Sequence, residues 1–117
     1  MSSVTPVQIE KRLVALSKEV DSSHNELSDA EMKYHLAKSE HEVGLAKSRL
    51  SAPKMSGQKL TVQEREDIAM LECQHLYRNL QIAEALVKAA RANANRLRTQ
   101  VDIARSIGTS VRSSLEL

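Results

Sequence analysis

Two clusters of Lys and Arg are the residues of this chain with the clearest capacity for chemistry. The stretch from 85 to 101 contains no acid and four cations: Lys88, Arg91, Arg96 and Arg98. A second acid-free stretch, between 43 and 63, contains Lys47, Arg49, Lys54 and Lys59. Clustered cations neutralise phosphates and release counterions, which drives sequence-independent binding to nucleic acid. Both clusters are therefore candidate nucleic-acid contacts.

Four arginines also admit a purely structural interpretation, because they recur every seventh residue at Arg91, Arg98, Arg105 and Arg112. In a heptad repeat this row takes the e position, where charges commonly pair with a neighbouring helix. Cations late in a helix also complement its dipole. For the row we favour helix pairing over phosphate contact. For the cluster around 43–63 the two interpretations stay open, because loops seldom need four cations to fold.

No arrangement of residues typical of catalysis or metal binding is recognisable. His35, His41 and His75 have no cysteine or carboxylate partner at ligand spacing, and the chain has neither a Gly-rich phosphate loop nor a nucleophile elbow. The one cysteine, Cys73, follows the apolar rhythm of its neighbours and is interpreted as a small buried hydrophobe. We therefore expect a non-enzyme with no metal and no cofactor.

Composition favours long helices over a sheet of short strands. Only 2% of the 117 residues are aromatic, and 3 Gly and 2 Pro leave few places for turns. Tyr34 and Tyr77 are expected to lie at a similar level and to pack as a pair, rather than to stack bases. The net charge of +2 is nearly balanced. No signal-like or membrane-spanning apolar run is evident, so we expect a cytoplasmic protein without membrane contact.

Capping signals and turn residues divide the chain into predicted helices. Capping boxes begin at Thr5, Ser23 and Thr61, and Pro53 and Gly57 mark a loop. We predict one helical domain over 1–117. Its parts are a short helix at about 6–20, a kink or break, a helix at about 24–51, a basic loop at 52–61, a helix at about 62–107 and a frayed end at 108–117.

A regular apolar seam runs through the last predicted helix. From Ala69 to Leu115 an apolar residue recurs at alternating steps of four and three, including Leu76, Leu80, Val87, Leu97 and Val101. A second stripe includes Ile82, Leu86 and Ile103, and the preceding helix has a similar one. Since a two-helix hairpin cannot bury both stripes, we expect a homo-oligomer. The predicted fold class is all-α: a long, antiparallel, coiled-coil-like helical hairpin with a short N-terminal helix.

The order of parts resembles that of the UvsY-type recombination mediators of bacteriophages. The similarity covers "KYHLAKSEHEVGLAKSRLSAPKMSGQKL" and "LECQHLYRNLQIAEALVKAARANANRLRTQVDIARSI", with Lys and Arg near the turn and apolar heptads afterwards. This resemblance implies a ring-shaped homo-oligomer that binds single-stranded DNA. It also implies a role in loading a RecA-like recombinase and contact with a single-strand-binding protein. By position it carries over Lys47, Arg49, Lys54 and Lys59 as DNA contacts.

Two functional hypotheses follow. The first is a DNA-binding accessory protein of phage recombination that acts on single-stranded DNA in the host cytoplasm. The second is a structural or adaptor coiled coil, such as a virion component or a protein-binding inhibitor, without a nucleic-acid role. DNA-packaging proteins of the small-terminase type normally contain a helix-turn-helix, and no such motif is recognisable.

Overall fold

The computed structural model describes residues 4–56 and 59–116, with side chains for all of these except 52–56. This part of the chain contains three α-helices. In chain order the helices are α1 (Pro6–Ser56), α2 (Val62–Glu72) and α3 (Gln74–Glu116). The predicted all-α class is thereby confirmed. The short helix lies in the middle of the chain, so the prediction of a short N-terminal helix was wrong.

Helix α1 runs without a break through 20–24, where the sequence predicted a kink or break. Its start is the predicted capping box: the Thr5 amide donates to Gln8 Oε1 at 3.0 Å and the Gln8 amide to Thr5 Oγ1 at 3.2 Å. Ser23, expected to begin a second helix, is buried, and its hydroxyl donates to the Val20 carbonyl at 2.8 Å. The Ser23 side chain therefore bonds back to the preceding turn of an unbroken helix, in place of the N-cap role that the sequence indicated.

The predicted basic loop at 52–61 is shorter than expected. Helix α1 extends to Ser56, and residues 59–61 are not helical, whereas 57–58 lie outside the described part. The Ser51 hydroxyl bonds back to the Lys47 carbonyl at 2.9 Å, within the helix. Pro53 removes one backbone hydrogen bond, and three further residues continue the helix. The N-cap predicted at Thr61 is confirmed, because its Oγ1 accepts the Glu64 amide at 3.1 Å.

The helix predicted over 62–107 is interrupted at one residue and ends later. Cys73 separates α2 from α3 with φ −99° and ψ 16°. Helix-type bonds continue on both sides of it, from the Cys73 amide to the Ala69 carbonyl and from the Tyr77 amide to the Cys73 carbonyl, both at 3.0 Å. The seam therefore keeps its register across the interruption. The end predicted to fray at 108–117 is helical to Glu116.

Helices α1 and α3 pack antiparallel, as predicted. The chain divides into a terminal unit (Met1–Ser28 and Lys88–Leu117) and a central unit (Asp29–Val87). Within the terminal unit Arg12 donates to Gln100 Oε1 at 3.3 Å. Within the central unit the Ser48 hydroxyl donates to the Glu72 carboxylate. Whether 1–117 folds as one domain stays a prediction.

The seam provides the core of each unit. In the terminal unit Leu16 is 1% exposed, and Ile9 and Leu97 are also buried. In the central unit Ala69, Cys73, Ala83 and Val87 are buried. Two seam glycines allow close approach: a Cβ at Gly44 would lie 2.6 Å from Leu76 Cδ1, and one at Gly108 3.2 Å from Ile9 Cγ2. Gly108 therefore belongs to the packed seam, and this explains why the helix does not end there.

Candidate interaction surface

The central unit has an exposed aliphatic surface that we call the apolar flank. It consists of five side chains that are 49–76% exposed: Leu36, Val43, Leu50, Ile82 and Leu86. The three from α1 are spaced seven residues apart, which places them in one row beside the seam. A surface of this kind on a small protein is typical of an interaction site.

An open cleft of about 250 Å³ lies in the middle of the apolar flank. Leu36 from α1 and Ile82 and Leu86 from α3 line it, above the seam alanines Ala37 and Ala83. Lys33, Glu40 and Asn79 complete the lining. The cleft is therefore apolar at its centre, with one cation and one carboxylate from the same helix, seven residues apart, at its edge.

The basic cluster of 43–63 is only partly available for phosphate contact. Arg49 forms a salt bridge with Glu66 of α2 at 2.8 Å, in which both side chains are about 40% exposed. Lys47 and Lys59 are exposed. Lys54 lies on α1, and its side chain lies outside the described part. Arg49 thus has a structural role at the end of α1, which leaves Lys47 and Lys59 as the stronger candidates.

The cluster of 85–101 lies on the exposed surface of α3. Lys88 and Arg91 are exposed, and each interacts with other residues of the chain. Arg96 donates to Asn93 Oδ1 at 2.8 Å, within the same helix. Arg98 is exposed. Hydrogen bonds along one helix orient a guanidinium but leave much of its hydrogen-bonding capacity unused.

The arginine row has an acidic neighbour in the terminal unit. Arg105 and Arg112 line an open cleft together with Glu10 of α1, above Ile9 and Gly108. The Arg112 Nε also donates to the Gly108 carbonyl at 3.3 Å. A carboxylate of α1 therefore stands on the same side as two arginines of the row, Arg105 and Arg112, as the helix-pairing interpretation expects for these two.

The two tyrosines do not form the predicted pair. Tyr77 lies beside His41, with ring centroids 5.6 Å apart, and Tyr34 lies beside His35 at 5.4 Å. The cause is the hairpin register, which places Cys73 and Leu76 against Gly44, so that His41 and not Tyr34 reaches the level of Tyr77. Cys73 is buried as a free thiol, in agreement with its seam position.

The structure separates the residues that the sequence grouped as seam and second stripe. Val87 and Leu97 are buried, and Leu76, Leu80 and Val101 are half-buried. By contrast, Ile82, Leu86 and Ile103 are 53–60% exposed. Lys33 and Glu40 were missed, and their seven-residue spacing beside Leu36 is the signal by which the sequence could have identified them.

Neither a membrane span nor a metal site is present among the described residues. No helix within 4–56 and 59–116 combines the length and apolarity needed to cross a membrane. The same ranges contain no group of three or more His, Cys, Asp or Glu side chains placed to hold a metal ion.

Comparisons of the chain with protein-family models, curated proteins and solved structures gave no match.

Proposed function

We propose that this chain is a non-enzymatic accessory protein that acts by assembling with other helices through the apolar flank. One observation supports this most strongly: α1 and α3 both direct aliphatic side chains into the same open cleft, where Leu36, Ile82 and Leu86 are more than half exposed. Burial of such a face against a second helical surface removes it from water and thereby lowers the free energy of the assembled state.

The experiment for assembly is the solution mass of the full chain, measured by light scattering over a wide concentration range. A mass above 13.0 kDa that rises with concentration would support the proposal. Replacing Leu36 and Leu86 by Asp should return the mass to that of one chain, because an ionised carboxylate is costly to bury in an apolar interface. The matched control is Val14→Asp, at an exposed α1 position away from the flank. A wild-type chain that stays monomeric at the highest concentration would refute the proposal.

A second candidate function is binding of single-stranded DNA by the exposed cations. Lys47, Lys59 and Arg98 are exposed, and the chain's acids do not interrupt either basic stretch. If the resemblance to phage recombination mediators holds, the protein would act beside a RecA-like recombinase and a single-strand-binding protein. Without DNA binding, the chain would serve as a structural or adaptor coiled coil.

Titration of a labelled oligothymidylate across a salt series tests this second candidate. The affinity should fall steeply as the salt concentration rises. In the double variant Lys47→Ala/Lys59→Ala, the slope of log affinity against log salt concentration should become smaller by roughly 0.7 for each phosphate that is no longer neutralised. Lys11→Ala with Lys18→Ala removes the same charge from the terminal unit and serves as the control. Absence of binding at low salt, or equal reductions in both variants, would leave the adaptor role.

A further inference from the structure

We infer that the cleft in the apolar flank binds the same cleft of a second copy of this chain, in an antiparallel register that brings Lys33 of each copy to Glu40 of the other. This inference rests on the proposed assembly and adds to it the identity of the partner and the register of the pairing. The observation that carries it is the placement of the two charges around the cleft.

Lys33 and Glu40 lie on either side of Leu36 along α1, at the edge of the cleft. Both side chains are exposed, and neither forms an ion pair with any residue that the structure describes. Consider a two-fold axis that lies in the interface, perpendicular to α1 and level with residues 36 and 37. It places α1 of the second copy on α1 of the first and reverses the direction of the helix. Residue 33 then lies opposite residue 40, so two equivalent Lys–Glu pairs enclose the apolar contact.

The same operation suits the α3 side of the cleft. The axis passes near Ile82, so that this isoleucine meets its own copy, and Asn79 lies opposite Leu86. The contact is therefore aliphatic at the axis and uncharged on the α3 side, and its charges lie on the α1 side. Interfaces between proteins commonly have this arrangement of an apolar centre and a polar rim.

The sequence of α1 repeats this complementarity over a longer row. At seven-residue intervals it carries Glu19, Glu26, Lys33, Glu40, Lys47 and Lys54. From 19 to 54 the charges are negative, negative, positive, negative, positive and positive. Read from 54 to 19, the charge at every step has the opposite sign. An antiparallel copy reads the row backwards, so in the sequence each position of the row corresponds to one of opposite sign, and Lys33 and Glu40 of the central unit are the two nearest the axis. A parallel copy would instead bring each charge to its own like.

The charge pattern also selects between the two antiparallel ways of packing one hairpin face on another. A two-fold axis that runs along the helices would place α1 on α3 of the second copy. Lys33 and Glu40 would then face the uncharged residues that line the α3 side, Asn79, Ile82 and Leu86. Only the axis across α1 gives both charges a partner.

The test is charge reversal at the two positions, with self-association measured by sedimentation equilibrium of the full chain. In Lys33→Glu both symmetric pairs become Glu–Glu, and in Glu40→Lys both become Lys–Lys. Each variant should associate about tenfold more weakly than the wild type, because two exposed pairs change from attraction to repulsion. The double variant K33E/E40K should regain the wild-type affinity to within about twofold. Mixing the two single variants should also restore association, as a heterocomplex.

Matched controls on the same helix are Lys38→Glu and Glu42→Lys, which change the same charges at exposed positions outside the row. These two should associate like the wild type, and circular dichroism should show equal helix content in every variant. If K33E and E40K associate as the controls do while aspartate in the apolar flank abolishes association, the register is wrong and the assembly stands. If the wild type is monomeric, both proposals fail.

Discussion

Replacing Ile82 by Ala tests the assembly with a magnitude that follows from the structure. Ile82 is 60% exposed, so that fraction of its side chain remains to be buried by a partner. The substitution removes three carbons, each worth about 0.8 kcal/mol when fully buried. Scaled by the exposed fraction, the loss is about 1.4 kcal/mol for each copy. A two-fold dimer contains the change twice, which corresponds to an increase of about 100-fold in Kd.

The assay is sedimentation equilibrium at physiological ionic strength, over concentrations on both sides of the wild-type Kd. Ala is a better helix former than Ile, so α3 should keep its helix content by circular dichroism. The control is Val14→Ala, at an α1 position that is 58% exposed and off the flank, and its Kd should change by less than about twofold. Equal Kd values for Ile82→Ala and Val14→Ala would refute the reasoning.

Three further predictions concern stability and are checked by urea unfolding at one fixed protein concentration. Leu16→Ala should cost about 3 kcal/mol, because Leu16 is 1% exposed and its loss leaves a cavity; a cost like that of Val14→Ala would contradict the packing. Thr61→Ala should cost about 1 kcal/mol through loss of the N-cap of α2, whereas Thr61→Ser should retain it. In a double-mutant cycle, Arg49→Ala and Glu66→Ala should show a coupling energy below about 1 kcal/mol, because both side chains are about 40% exposed. A larger coupling energy would mean that the salt bridge is better shielded from solvent than its exposure indicates.

The sequence predicted the seam well because burial within one chain repeats with the period of the helix. Every seam position of α3 from Cys73 to Val111 is buried or half-buried, and so is each α1 residue in the matching series of alternating four- and three-residue steps from Ile9 to Gly44. The alternating steps of four and three also continue through the segment around Ser23. Local capping preference indicated a break there, and packing of the seam outweighed it, because the Ser23 hydroxyl found a partner in the preceding turn.

Helix ends were harder to predict, since they depend on contacts made far along the chain. Gly108 reads locally as a helix terminator, and the structure uses it to bring Ile9 close. Pro53 reads locally as the end of α1, which instead continues to Ser56. Similarly, the acid-free stretch around Arg49 cannot reveal that Glu66 of α2 comes back to neutralise it. Local sequence alone therefore misplaces helix ends and overstates the free charge near the turn.

The two proposals compete for one side chain, which makes them separable. Lys47 is exposed and is a candidate DNA contact, yet it also belongs to the charge row that a second antiparallel copy would neutralise. If Lys47 is paired with a carboxylate of the second copy in the assembly, each chain must bind DNA more weakly at concentrations where copies associate. The slope of log affinity against log salt concentration must then also be smaller. If assembly leaves Lys47 free and brings cations of several copies together, affinity per chain must instead rise through multivalency. The sign of this change, measured for the wild type and for Ile82→Ala at one chain concentration, distinguishes an adaptor that buries its charges from a nucleic-acid-binding assembly that combines them.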